Sequence, residues 1–266
     1  MTTSQTPQPR SAFPLPGFAD WLASVEDRSA ALRRAAEAAT GTDRVPSCPD
    51  WTVRDLVTHV GAVQRFWAAT VAAGPATQPP GEDAVAEREP TGDLLAWSAA
   101  STGLLLDALR AAGPDAECWT WWAGSGNPAT AGEVARHQVL EVAVHAWDAQ
   151  DSVAAAEPLP PALAADAVDG FLHTWFGSMD GWPHSPARVA LVADEGPAWT
   201  LILDATGASA VRGGPGEGPE PGAVLAGPAG DLVLALYRRI PLDGGALRVT
   251  GEADLVRQLV VWPPLG

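Results

Sequence analysis

Apolar residues recur at helical spacing through the first half of the chain. Phe18, Trp21, Leu22, Val25, Ala31 and Leu32 predict one amphipathic helix from Phe18 to about Ala39, stopped before Gly41. In CPDWTVRD, Thr52 followed three residues later by Asp55 reads as a capping box, with Trp51 placed to staple the first turn. The helix it opens runs through Leu56, Val57, Val60, Val63 and Trp67 to about Ala73. Residues 74 to 92 are rich in proline, glycine and charge and read as a loop. A third helix, about Asp93 to Ala112, carries Leu94, Leu95, Leu104, Leu105, Leu106 and Leu109, and a second capping box, Thr130 with Glu133, opens a fourth through VARHQVLEVAVHAWDAQ. Four long helices joined by loops predict a bundle.

The pattern changes near Pro158 to Pro161. A further helix, about Pro161 to Phe176, leads into two β-rich runs, Arg188 to Asp194 and Trp199 to Asp204. Gly/Pro-rich residues 206 to 222 read as the loop that separates these from AVLAG. A helix over about Asp231 to Arg239, a short ALRVT strand and a last helix from about Glu252 to Trp262 follow. The expected class is α+β, with a flexible arm over residues 1–17, a helical bundle over 18–155 and a small α+β domain over 156–266.

Composition then narrows the chemistry. The chain has 266 residues and a formal charge of −16, and all 16 basic residues are arginine. Without lysine there is no Schiff-base enzyme, no lysine general base and no phosphate-loop lysine. The acid excess repels phosphate backbones and anionic lipid, so neither nucleic acid nor membrane is an expected partner. Two cysteines, Cys48 and Cys118, make no disulfide framework. The absence of an apolar leader or a long apolar run leads to a cytoplasmic expectation.

Glu141 and His145 lie four apart on the fourth helix, so both side chains share one face and can grip one ion. His59, in the middle of the second helix between Val57 and Val60, is the candidate third ligand. His137 shares the face, yet it lies about 12 Å from His145 along the axis, too far for both to hold one ion. It is left to line a pocket or to face solvent. Two histidines and a carboxylate suit Zn²⁺ with an open fourth position, the arrangement of a catalytic site. Asp148, three residues after His145, either supports that histidine or serves as a solvated or capping group. Cys48 either packs or works as a thiolate at the helix entry. The tryptophans of CWTWW (118 to 122) and Trp147 are either core or a pocket wall.

CPDWTVRDLVTHV, residues 48 to 60, resembles the CPGWTVRDLVAHL signature of the mycothiol-dependent maleylpyruvate isomerase family, and EVAVHAWDAQ, 141 to 150, resembles that family's HETAVHRWDAE segment. The C-terminal stretch from AGPAGDLVLALYRRIPLDGG onward resembles the family's second domain. The resemblance implies a DinB-like four-helix bundle followed by a sterol-carrier-like α+β domain, with the metal triad on His59, Glu141 and His145. It also implies a functional arginine at Arg239 or Arg238. Leu140 and Ala146 stand where the family usually has histidine and arginine, so anion recognition is expected to fall to Arg136 and Arg239.

The expected activity is that of a metal-dependent enzyme: Zn²⁺, Ni²⁺ or another divalent metal activates mycothiol, the thiol cosubstrate, for attack on an electrophilic small molecule. The outcome would be S-transfer or cis-trans isomerisation, with Arg239 as a catalytic group and Asp148 supporting the metal histidine. The alternatives are a thiol-independent metalloenzyme of specialised metabolism and a non-catalytic small-molecule carrier. A monomer or a small homo-oligomer is expected.

Overall fold

The computed structural model describes residues 16–40, 42–243 and 246–265. Most of the expected N-terminal arm, residues 1–15, lies outside the described residues. The four helices of the first half are α1 (Phe18–Ala38), α2 (Val53–Ala73), α3 (Leu94–Ala112) and α4 (Ala131–Ser152). The starts of α2, α3 and α4 follow the side chains that satisfy the free backbone N–H groups. Thr52 and Asp55 form the reciprocal box at α2, and Asp93 caps α3. At α4 only half of the expected box forms. Thr130 accepts from the Glu133 amide, while the Glu133 carboxylate turns to Asn127 and Arg136 instead.

Ahead of α2 the chain makes a two-stranded antiparallel ribbon, β1 (Arg44–Val45) and β2 (Cys48–Thr52). Two strands this short carry no periodic signal, and the sequence reading passed over them. Where α2 meets α3, Gly61 lets the helices close: a Cβ there would stand 2.1 Å from the Trp97 ring. Trp97 is itself anchored by its indole N–H to the Glu87 carbonyl in the preceding loop.

The second half holds α5 (Pro161–Thr174) and a five-stranded sheet of order β5-β4-β3-β6-β7, in which β3 and β6 are parallel and the other neighbours antiparallel. The strands are β3 (Ala187–Ala193), β4 (Ala198–Asp204), β5 (Gly207–Arg212), β6 (Ala223–Gly227) and β7 (Arg248–Gly251), with α6 (Ala229–Leu236) and α7 (Ala253–Val261) between and after the last two. The expectation that residues 206 to 222 are all loop is corrected by β5. GASAVR pairs residue for residue with β4, and its glycine and small side chains conceal the strand because an edge takes its order from the ladder. The α6 helix also stops at Leu236, short of the expected end, and leaves Arg239 on the turn beyond it.

One apolar core runs through both halves, joining Leu105 and Val134 of the bundle to Phe171, Leu191 and Leu225. A second cluster packs Leu32, Leu56, Val57, Val142 and Ala146 between α1, α2 and α4. Ala146 is thus a core residue, about 100° around the helix from His145. An arginine's absence there takes no cation from the face that carries His145, against the sequence expectation. No described helix is long and apolar enough to cross a membrane.

A polar strut crosses the same junction. Arg136 on α4 bonds Asp166 at 2.6 Å and Asp169 at 2.7 Å, both on α5. Asp169 also accepts from Trp199 on β4 at 2.8 Å and from Arg212 on β5 at 3.0 Å, while Asp166 accepts from Trp21 on α1 at 2.8 Å. Burial works to raise the Asp169 carboxyl, but its hydrogen bonds from Arg212, Arg136 and Trp199 outweigh it and hold the group at about 2.

A carboxyl depressed in the fold stabilises it fully above the unfolded value and loses that contribution as the pH falls through the folded value. The Asp169→Asn substitution is therefore expected to destabilise the protein near neutral pH. The gap from the parent should narrow as the pH falls from about 4 toward about 2. Urea unfolding across that range checks it, and a gap that stays constant refutes the assignment.

Candidate metal centre

The capping box at Thr52 fixes where α2 begins, and so which face of the helix His59 occupies. Its imidazole Nε2 lies 3.1 Å from Glu141 Oε1 across the bundle. One turn along α4, His145 Nε2 lies 3.4 Å from the same oxygen. The three ligand atoms of His59, Glu141 and His145 fall within 4.8 Å of one another. Trp51, at the end of β2, covers the rings with centroids 4.8 Å from His59 and 6.2 Å from His145.

The back of the centre is built on Asp148, whose side chain has no exposure. His145 Nδ1 approaches Asp148 Oδ2 at 3.0 Å, Ser47 donates to Oδ1 at 2.6 Å, and Arg239 grips both oxygens at 2.8 to 3.3 Å. In the neutral imidazole that would ligate a metal, the proton on Nδ1 is committed to Asp148 and leaves Nε2 directed at His59 and Glu141. The donor set fits a divalent metal: two imidazole nitrogens and one carboxylate oxygen, converging from two helices, are what zinc takes when a fourth position stays open.

The charges follow the contacts. Burial works to raise Glu141, yet hydrogen bonds and charge from His145 and His59 hold it well below the usual carboxylate range. Burial works to lower His145, yet bonds to Asp148 and Glu141 raise it to about 9. Asp148 is lowered against its burial by His145 and Arg239.

The other sequence candidates are placed as follows. Arg239 sits beside the centre, but as the partner of Asp148 and with Cys48 Sγ 3.4 Å away. Arg238 turns its guanidinium to the carbonyls of Val260 and Pro263 instead. Burial raises the Cys48 thiol, Arg239 notwithstanding, which counts against a thiolate there. Arg136 belongs to the strut rather than to the centre. His137 lies one turn before Glu141 and packs among Trp67, Trp121 and Trp122, with ring centroids 5.1 to 5.9 Å away.

Two groups escaped sequence reasoning. Ser47 stands one residue before the CPDWT motif, and Tyr237, the chain's one tyrosine, stands two before Arg239. The uniqueness of Tyr237 was a signal open to reading. A cavity of about 260 Å³ is lined by Cys48, Trp51, Tyr237 and Arg239 among others, at the seam between bundle and sheet domain.

A helical bundle whose facing helices hold two histidines and a glutamate, joined to a mixed-sheet domain that supplies an arginine to the same centre, defines a class of two-domain proteins. Within that class, residues 22–150 match the mycothiol maleylpyruvate isomerase N-terminal domain and residues 162–258 match the MDMPI C-terminal domain. The chain belongs to the mycothiol-dependent maleylpyruvate isomerase family. It is similar in fold to the crystal structure of a mycothiol-dependent maleylpyruvate isomerase, with a TM-score of 0.58 at 16% identity over 94% of this chain and 97% of that one. A histidine-to-alanine mutant of that isomerase superposes with a TM-score of 0.57, at the same identity and coverage. No curated protein matches the sequence.

Removing the cation of the Arg239 pair leaves a buried carboxylate short of a partner, a change that costs about 3–5 kcal/mol. Arg239→Met is expected to lower unfolding stability by that order. In combination with Asp148→Asn the two losses should sum to clearly more than the double variant shows. Additive losses in denaturant titrations would mean that the two groups do not act as a pair.

Proposed function

We propose that this protein is a metal-dependent enzyme that uses mycothiol against an electrophilic small molecule, as an S-transferase or a cis-trans isomerase. The observation that carries the reading is the convergence of His59, Glu141 and His145, whose ligand atoms lie within 4.8 Å of one another. Membership in the family supplies the thiol. A divalent metal held there, Zn²⁺ or Ni²⁺ by its donor set, would supply the Lewis acidity that removes a thiol proton at neutral pH.

The chain's own residues do the rest. Asp148 holds the His145 ring in one tautomer and orientation, and Arg239 is a positioning residue that acts through Asp148. Trp51 packs its ring against both histidines. The acid excess sets nucleic acid and anionic membranes aside as partners, and free Cys48 and Cys118 accord with a cytoplasmic setting. The reading is of a monomer or small homo-oligomer.

Elemental analysis of the purified protein is expected to find close to one divalent metal per chain, lost in His59→Ala and in His145→Ala. Asp148→Asn should keep the metal with roughly 10–100-fold weaker affinity. Consumption of an electrophile should require mycothiol. Metal-free native protein defeats the reading, and turnover that continues without thiol replaces it with metal-activated water.

A further inference from the structure

The seam cavity of about 260 Å³ is joined to the metal centre through two of its own walls. Trp51 lines it and also packs against the rings of His59 and His145, with centroids 4.8 and 6.2 Å away. Arg239 lines it from the second domain and bonds Asp148 Oδ2 at 2.8 Å, the same oxygen that lies 3.0 Å from His145 Nδ1. None of the three triad residues lines the cavity, so a molecule seated there adjoins the centre without using up a metal ligand. Its volume is at the small end for ligand pockets, which suits one ring of a larger molecule rather than the whole of it.

The walls suit a neutral molecule with many hydroxyls better than an anion. Arg239 spends its guanidinium on both oxygens of Asp148 and on the Tyr237 carbonyl. Arg238 holds the left-handed backbone, φ 62°, that turns the chain after α6, and its guanidinium donates to the carbonyls of Val260 and Pro263. Asp50 is the group left over. Its carbonyl accepts from Arg44 at 3.1 Å, while its exposed carboxylate enters no hydrogen bond or ion pair among the described residues. A half-buried indole beside an unused carboxylate suits a polyhydroxylated ring. The C–H face of such a ring lies on the aromatic surface, and its hydroxyls donate to the charged acceptor. An anion would meet the like charge of Asp50 instead.

We propose that the seam cavity binds the sugar portion of the thiol cosubstrate, with one polyhydroxylated ring packed on Trp51 and its hydroxyls donating to Asp50. This inference rests on the thiol reading for the name of the ligand, and on the cavity alone for its chemical class. It assigns the choice of thiol to β2 and to the turn after α6, residues that hold no metal. A small thiol without the sugar gains nothing from them.

Calorimetric titration of the full chain with N-acetylglucosaminyl-inositol, which keeps the sugar, cyclitol and amide of mycothiol and lacks its thiol, reads the cavity apart from the metal. Binding is expected at about millimolar affinity or tighter, the same before and after treatment with a chelator. Asp50→Ala should weaken it by about tenfold, the loss of a hydrogen bond to a charged group, with the melting temperature unchanged. Trp51→Leu should weaken it to a similar degree, and Trp51→Phe by less. If Trp51→Leu does not fold, Asp50→Ala, at an exposed position, carries the comparison. No measurable binding, or an affinity unmoved in the folded Asp50→Ala and Trp51→Leu variants, overturns the proposal. Metal content and mycothiol consumption on the same samples report separately: glycoside binding without either sinks the enzyme reading alone, and metal-loaded, thiol-dependent turnover without glycoside binding sinks this one alone.

Discussion

A carboxylate cut off from water persists only where hydrogen bonds and a cation replace its hydration, and Asp148 meets that condition with groups from three parts of the chain. Ser47 comes from the ribbon ahead of α2, His145 from one turn back along α4, and Arg239 from the turn after α6. Satisfying this one side chain therefore fixes the entry to the helix that carries His59, the ring of His145 and the seat of the second domain. The centre's open face is defined from behind, by what Asp148 must hold.

The exclusive use of arginine makes sense against this background. A guanidinium presents a planar fork of parallel N–H donors matched to carboxylate oxygens, where a lysine ammonium is a compact point charge. Arg239 on Asp148 and Arg136 on Asp166 and Asp169 both use it, each where the bundle meets the second half of the chain. With acids in twofold excess, each of these buried arginines is paired, Arg136 with three carboxylates and Arg239 with the one of Asp148.

Much of this is legible in the amino-acid sequence. Helix periodicity and the Thr52 box located α2, the spacing of Glu141 and His145 put them on one face, and His59 followed from its place in the bundle. The resemblance named the same three residues. What stayed hidden was whatever depends on distant chain. Asp148 could be read as support for His145 or as a solvated group because its cation lies 91 residues away, and GASAVR showed no strand signal because the ladder with β4, not its own side chains, makes it one. The consequence drawn from Ala146 failed for a different reason. Sequence adjacency to His145 suggested nearness to the site, whereas the helix turns position 146 into the apolar cluster with Leu32 and Leu56.

The long reach of the Asp148 contact also bears on how the protein is born. At a synthesis rate of roughly 5–20 residues per second, the 91 residues between Asp148 and Arg239 take on the order of 5–18 s to make. For that interval α4 has emerged without the guanidinium that completes the pairing of its acid, leaving Ser47 and His145 as the partners the first domain itself supplies.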